Sequence, residues 1–283
     1  MDVHRDFLIA CIAATNAQGV TEYQSRRFST YTGSLRELRD WLLANDCKDV
    51  CMESTGKYWF PVHNILEESC HVVVSHPKFV KAIKGKKTDK KDAQWIADLF
   101  KHDLVRGSFI PPKDIRQLRD LCRYWVKLSS YMTGEKNRAQ NCLTVSNFKL
   151  DDVFSNVFGK SASAITTQLL EHPGEQFDVA PFVDGRCKTP IAQIQEAVDG
   201  IFTYEQAEKL KIIRGHMDSL ERHKAELESL ILEIAQNYLP QIELLLTVPG
   251  IHDAFTAIRI LAEIGADMTV FDTSKHLCSW AGL

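Results

Sequence analysis

Four acidic residues have types and positions that suit metal chemistry. Asp2 lies at the start of the first predicted strand, and Glu53 ends a predicted strand at residues 49–53. Asp89 and Asp92 open a predicted helix, where residues three apart share one face. Carboxylates gathered at the ends of neighbouring strands and on an adjacent helix suit hard, oxygen-preferring cations such as Mg²⁺. We therefore predict that these four residues are catalytic and bind Mg²⁺, the arrangement in which two ions about 4 Å apart support phosphodiester displacement.

The two aspartates on the helix also have a purely structural explanation. Thr88 precedes them and is a suitable N-cap residue. Carboxylates in a first helical turn interact favourably with the helix dipole. The pair alone therefore favours helix capping, and only the set of four acids favours a metal site.

Basic residues surround the acidic pair and continue into the next helix. Residues 76–149 contain 17 Lys and Arg against 7 Asp and Glu, a net charge of +10, although the whole chain carries −3. Such a block is typical of a protein that binds a polyanion. The candidate nucleic-acid contacts are Lys84, Lys86, Lys87, Lys90, Lys91, Arg116, Arg119, Arg123 and Lys127.

Two further side chains could join these sites. The histidines are dispersed, which favours structural roles, but His4 lies two residues after Asp2 and is predicted on the same strand face. Tyr124 lies among the arginines and is the better candidate for stacking on bases, because its neighbour Trp125 fits the apolar stripe of the helix.

The elements that must position these residues change in type along the chain. Residues 1–90 read as a hairpin followed by a β-α-β unit, which is an α/β pattern. A long amphipathic helix is predicted at residues 114–140, an irregular connection at 172–190, and short helices near the C-terminus. The predicted strands are residues 7–14, 22–28, 49–53 and 71–75.

Residues 204–238 carry apolar side chains at alternating spacings of three and four, interrupted by Lys224. This spacing predicts a coiled coil or a long hairpin helix that ends at Pro240. Pairing with a second copy is slightly favoured, and the helix at residues 114–140 is the alternative partner within the chain.

Three motifs occur in a characteristic order: DVHRD at residues 2–6, MESTG at 52–56 and KTDKKDA at 87–93. They resemble the motifs of the DEDD transposases of bacterial insertion sequences, the IS110 family, which includes the Piv-type invertases. Near the C-terminus, LTVPGI at 246–251, AEIG at 262–265 and SWAGL at 279–283 are similar to the opening of that family's second conserved domain. The resemblance therefore extends over nearly the whole chain.

The resemblance implies a RuvC-like, RNase H-fold catalytic domain at residues 1–112, whose metal-binding acids would be Asp2, Glu53, Asp89 and Asp92. It implies a helical, coiled-coil region at 113–239 and an incomplete C-terminal transposase domain at 240–283. The fold class is thus α/β plus all-α. The implied activity is Mg²⁺-dependent DNA cleavage and strand transfer, guided by a structured bridge RNA, in a homodimer or homotetramer.

The second domain of that family supplies a serine that becomes linked to DNA. Here the chain ends before that stretch, and Ser279 lies in the preceding motif, so the nucleophile is not assigned to it. Only Met1 precedes Asp2, so we expect both ends to be clipped and the activity incomplete. No signal peptide or membrane span is expected, which favours a cytoplasmic, nucleoid-associated bacterial protein.

Other functions remain open from the sequence. A catalytically inactive nucleic-acid-binding remnant and a RuvC-like nuclease would carry the same basic segment. An actin-like or sugar-kinase-like ATPase also opens with an aspartate on a hairpin, but the second Asp-x-Gly phosphate turn is not found in the sequence.

Overall fold

The computed structural model describes residues 1–80 and 88–281. The chain divides into two compact units, Met1–Ile110 and Pro111–Leu283, which we call unit 1 and unit 2. Within the described residues, none of the helices combines the length and apolar character that crossing a membrane requires.

Unit 1 is a mixed α/β structure with two small sheets. Three strands form an antiparallel sheet in the order β1-β2-β3, and β4 pairs with β5 in parallel. Helix α2 lies between β4 and β5 in the chain, as expected for a parallel connection. The bounds are β1 Asp2–Val3, β2 Phe7–Thr15, β3 Thr21–Ser29, α1 Thr32–Ala44, β4 Asp49–Glu53, α2 Trp59–Leu66, β5 His71–Ser75, α3 Pro77–Val80 and α4 Asp89–Lys101.

The predicted strands of unit 1 are confirmed. The β4 and β5 bounds coincide with the predictions, and each hairpin strand is about one residue longer at its ends. Strand β2 buries alternate residues, Leu8, Ala10 and Ile12, because successive side chains of a strand point to opposite faces. The mixed α/β structure of unit 1 agrees with the α/β pattern predicted from the sequence. The RNase H-like arrangement of these elements stays a prediction.

Strand β1 is only two residues long, yet it contacts both β2 and β4. Asp2 pairs with Ile9 of β2, and the amino group of Met1 donates a hydrogen bond to the Cys51 carbonyl of β4 at 2.7 Å. Asp2 is therefore held between the two sheets.

Helix α4 packs on this strand layer. It contacts β1, β2, β3 and β4, and its inner face carries Ala93 and Ile96, which are 0% and 2% exposed. On its outer side, Tyr23 donates a hydrogen bond to Asp98 at 2.5 Å, and Lys101 donates to Thr21 at 2.7 Å. These two hydrogen bonds join the second half of α4 to the β2–β3 hairpin.

Unit 2 is helical and is built around two long antiparallel helices, α5 and α9. Residues near the start of α5 pack with the end of α9, and residues near the end of α5 pack with its start. The helix bounds are α5 Lys113–Val145, α6 Leu150–Val153, α7 Lys160–Glu171, α8 Ile191–Ala197, α9 Tyr204–Ala235, α10 Leu239–Leu246, α11 Ala254–Ile264 and α12 Ser274–Ala281.

The heptad seam of α9 is buried inside the chain. Leu210, Leu220 and Leu227 face α5, and the interrupting Lys224 places its ammonium group 4.2 Å from the centre of the Trp125 ring. This corrects the slight preference for pairing with a second copy, because α5 of the same chain fills the seam.

Two predicted helix ends also need correction. Helix α5 runs to Val145 rather than ending near residue 140, since Cys142 and Leu143 continue its buried face. Helix α9 ends at Ala235, and Pro240 lies in the first turn of α10, where the missing N–H of proline costs no hydrogen bond.

The seam between α5 and α9 gives a stability prediction. Ile231 on α9 is 0% exposed, whereas Ile212 on the same helix is 73% exposed. We expect Ile231→Ala to lower the free energy of unfolding by about 2–5 kcal/mol, because it removes buried methylenes and leaves a cavity. Urea unfolding measures this as a lower midpoint.

The matched control is Ile212→Ala, which we expect to change the free energy of unfolding by less than about 0.5 kcal/mol. Equal losses for the two variants would contradict the packing of α9 on α5.

Candidate metal centre and nucleic-acid surface

Asp2 is the most buried of the predicted site acids. Its side chain is 13% exposed, and its Oδ2 lies 3.1 Å from His4 Nε2. Burial raises the pKa of Asp2, the nearby charge of Asp89 raises it further, and His4 acts in the opposite direction. A buried carboxylate of this kind gains stability from a cationic partner.

Asp89 reaches the same place from helix α4. It is the first residue of that helix, and Thr88 caps the helix by accepting a hydrogen bond from the Lys91 N–H at 3.3 Å. Its Oδ1 lies 3.8 Å from His4 Nε2, and its side chain is 49% exposed. The N-cap prediction for Thr88 is confirmed.

His4 is positioned by the turn that follows β1. Its N–H donates a hydrogen bond to the Phe7 carbonyl at 2.9 Å, which closes a tight turn into β2. Its ring lies 4.7 Å from the Phe7 ring, centre to centre. The imidazole is thus held in front of both carboxylates.

Together these three side chains form a cluster with metal-ligand spacing. One ligand atom each from Asp2, His4 and Asp89 lie within 4.8 Å of one another, and no other such group of three occurs in residues 1–80 and 88–281. Two carboxylates at this spacing repel each other unless a positive charge lies between them. The donor set, two carboxylates and an imidazole with a buried anchor, fits a divalent cation.

Glu53 and Asp92 occupy neighbouring elements. Glu53 ends β4 and accepts a hydrogen bond from the Thr55 hydroxyl at 3.1 Å. The Asp92 N–H donates to the Thr88 carbonyl at 2.9 Å in the first turn of α4. Within the described part of the chain, neither joins the cluster at the 4.8 Å spacing. Their metal-binding role stays a prediction.

The candidate lysines near Asp89 divide into two groups. Lys84, Lys86 and Lys87 lie outside the described residues. Lys90 and Lys91 are exposed in the first turn of α4, next to Asp89. Their positive charges are available to an anion that approaches the cluster.

The predicted basic stripe on α5 is partly committed to contacts within unit 2. The Arg119 side chain is 16% exposed and donates hydrogen bonds to the carbonyls of Ala262 at 2.8 Å and Glu263 at 2.9 Å. Arg123 makes a bidentate ion pair with the Glu263 carboxylate, with N–O distances of 2.8 and 2.7 Å. These hydrogen bonds lower the pKa of Glu263. These arginines therefore hold the C-terminal end of α11.

Of the other two members of the stripe, Arg116 is half-buried and Lys127 is exposed. Arg116 donates to the Pro111 carbonyl at 2.9 Å. Lys127 is exposed, with its ammonium group 5.3 Å from the centre of the Tyr131 ring. Tyr124 and Tyr131 are 56% and 48% exposed on the same helix. No local sequence signal identifies Glu263 as the partner of Arg123, because the two residues are 140 positions apart.

The Arg119 contacts give a second stability prediction. We expect Arg119→Ala to lower the free energy of unfolding by about 1.5–3 kcal/mol, because hydrogen bonds from a charged group to the end of α11 are lost. Urea unfolding followed by tryptophan fluorescence measures the change. The control Lys127→Ala should stay within about 0.5 kcal/mol of the parent. A larger loss in Lys127→Ala than in Arg119→Ala would refute this role for Arg119.

Comparison with models of known protein families shows the family to which the chain belongs. Residues 1–147, more than half of the chain, match the DEDD-type IS110 transposase model. Residues 242–283 match the model described as transposase IS116/IS110/IS902 family. No curated protein matches the chain. The two matches occur in the order expected from the motifs, and the chain belongs to the IS110 family of transposases, which carry out DNA transposition.

Proposed function

We propose that this chain cleaves and transfers DNA strands of an insertion sequence with the help of a divalent cation, Mg²⁺ in the simplest case. The observation that carries the proposal is the meeting of Asp2 and Asp89 in front of His4. These carboxylates come from distant points of the sequence, and α4 packs on the strand layer to bring them together. Glu53 and Asp92 are proposed to complete the site when DNA and metal are bound.

Each residue has a distinct part in this proposal. Asp2 is the anchor, because its side chain is only 13% exposed and its backbone pairs with Ile9 of β2. Asp89 is half-exposed and faces the incoming substrate. A divalent cation held there would stabilise charge on the attacking and leaving oxygens of a phosphodiester. Lys90 and Lys91, at the positive end of α4, would hold the phosphate backbone beside the acids.

The exposed face of α5, in unit 2, is a second candidate nucleic-acid surface. Lys127 supplies positive charge, and the exposed rings of Tyr124 and Tyr131 supply flat surfaces on which bases can stack. We propose that this face binds nucleic acid, including the structured bridge RNA that guides recombination. Arg119 is left out of the surface, because its donors are used within unit 2.

Three further parts of the proposal concern fold and assembly. Unit 1 is proposed to be RuvC-like with an RNase H fold, since a three-stranded antiparallel sheet is followed by a parallel strand pair beside β1.

The active form is proposed to be a dimer or tetramer associated with the nucleoid. Because α5 fills the α9 seam, assembly would use another surface of unit 2.

The catalytic proposal predicts the effect of removing one acid. We expect Asp89→Asn to lower Mg²⁺-dependent strand cleavage by at least about 100-fold, because the site loses a charged ligand, while nucleic-acid affinity stays within about twofold. The assay follows nicking of a supercoiled DNA that carries the junction of the element's ends, with the guide RNA present.

Asp103→Asn is the matched control, because Asp103 follows the other end of the same helix. It should retain parental cleavage. Unchanged cleavage in Asp89→Asn would remove the acidic cluster from the mechanism. A parent that binds nucleic acid without cleaving would favour the non-catalytic remnant.

The binding proposal predicts a salt-dependent loss of affinity. We expect the double variant Lys90→Ala, Lys91→Ala to bind DNA and RNA more weakly. The slope of log affinity against log salt should become shallower by about 1–2, because each lost phosphate contact releases one counterion fewer. Filter binding at several salt concentrations measures the slope. Lys48→Ala, an exposed lysine before β4, is the control and should leave the slope unchanged. Parental binding that does not respond to salt would contradict the proposal.

A further inference from the structure

His4 lies beside the two acids that meet in the candidate metal centre, although it is not one of the four acidic residues predicted to bind the metal. Its Nε2 is 3.1 Å from the Asp2 carboxylate and 3.8 Å from the Asp89 carboxylate. A histidine in a surface turn normally points to solvent, but this side chain is only 39% exposed. The same nitrogen atom therefore faces both acids.

The placement of this ring is built into the fold. The turn after β1 is closed by the hydrogen bond from the His4 N–H to the Phe7 carbonyl, which fixes the backbone at His4. The Phe7 ring contacts two side chains. One is the His4 imidazole, and the other is the Arg27 guanidinium, which lies 4.0 Å from the centre of the Phe7 ring. Phe7 pairs with Ser29 of β3, so this stack lies on the paired strands of the hairpin.

We propose that His4 Nε2 is a direct ligand of the cation and that it shifts the metal preference of the site from Mg²⁺ toward Mn²⁺. The inference rests on the proposed metal centre and adds to it a nitrogen ligand. Mg²⁺ is bound in proteins through oxygen and keeps much of its water shell. Imidazole nitrogen is a better ligand for transition metals, and Mn²⁺ also accepts carboxylate oxygen. Replacing an oxygen ligand by an imidazole therefore disfavours Mg²⁺ more than Mn²⁺, so a site of two carboxylates and one imidazole favours Mn²⁺ over Mg²⁺ more than a site of carboxylates alone does.

The test measures Mn²⁺ bound to the full chain by electron paramagnetic resonance, without any activity assay. Titration of the free Mn²⁺ signal gives the affinity, and competition with Mg²⁺ gives the preference. Electron spin echo modulation then reports whether a nitrogen nucleus is bonded to the bound Mn²⁺. The compared proteins are the parent, His4→Gln, His71→Gln and Asp89→Asn.

His71 is the matched control because its imidazole is also paired with an aspartate, Asp49 at 3.0 Å, but lies elsewhere in unit 1. We expect nitrogen modulation in the parent and in His71→Gln. In His4→Gln the modulation should vanish and the Mn²⁺ affinity should fall about tenfold or more, while the Mg²⁺ affinity changes by less than about threefold.

The outcomes separate the two proposals. Bound Mn²⁺ without nitrogen modulation in the parent would overturn the role of His4 and leave the carboxylate site standing, and this result does not depend on the folding of any variant. Mn²⁺ binding that is absent from the parent, or unchanged in Asp89→Asn, would overturn the metal centre itself.

Discussion

The packing of α4 against the β2–β3 hairpin is the constraint on which the candidate site depends. Asp2 is fixed by strand pairing, but Asp89 reaches it only because α4 lies across β1, β2 and β4 with Ala93 and Ile96 inward. Hydrogen bonds from Tyr23 to Asp98 and from Lys101 to Thr21 also hold the second half of the helix on the β2–β3 hairpin. The same packing sets the direction of the Thr88 cap and of the lysines beside it. The proposed metal ligation and the proposed phosphate binding therefore both depend on the packing of this one helix on one sheet.

Local chemistry made much of unit 1 predictable. Strands β4 and β5 are short apolar runs bounded by polar residues, and their observed bounds match the prediction. Thr88 has the side chain that an N-cap needs, which is why the start of α4 was predicted correctly. The two-residue spacing of His4 from Asp2 predicts that both lie on one strand face, and the structure brings the two side chains together. These features depend on residues close in sequence, where turn, cap and strand preferences act directly.

Features that depend on distant residues were not predictable in the same way. The apolar seam of α9 has the same spacing whether its partner is a second copy or α5, so periodicity could not choose between them. Arg119 resembles its neighbours in the basic stripe, and only the fold brings the end of α11 to its guanidinium. Helix α5 continues to Val145 because Cys142 and Leu143 are covered by other helices of unit 2. In each case tertiary packing decided what local preference left open.

The most direct test of the central claim is the position of a bound metal ion. Crystals of the full chain grown with Mn²⁺, measured at the manganese absorption edge, would locate the ion by its anomalous scattering. We predict a peak within about 2.0–2.6 Å of carboxylate oxygens from both Asp2 and Asp89. A manganese peak elsewhere, or Asp2 and Asp89 side chains that point apart with no peak between them, would contradict the account.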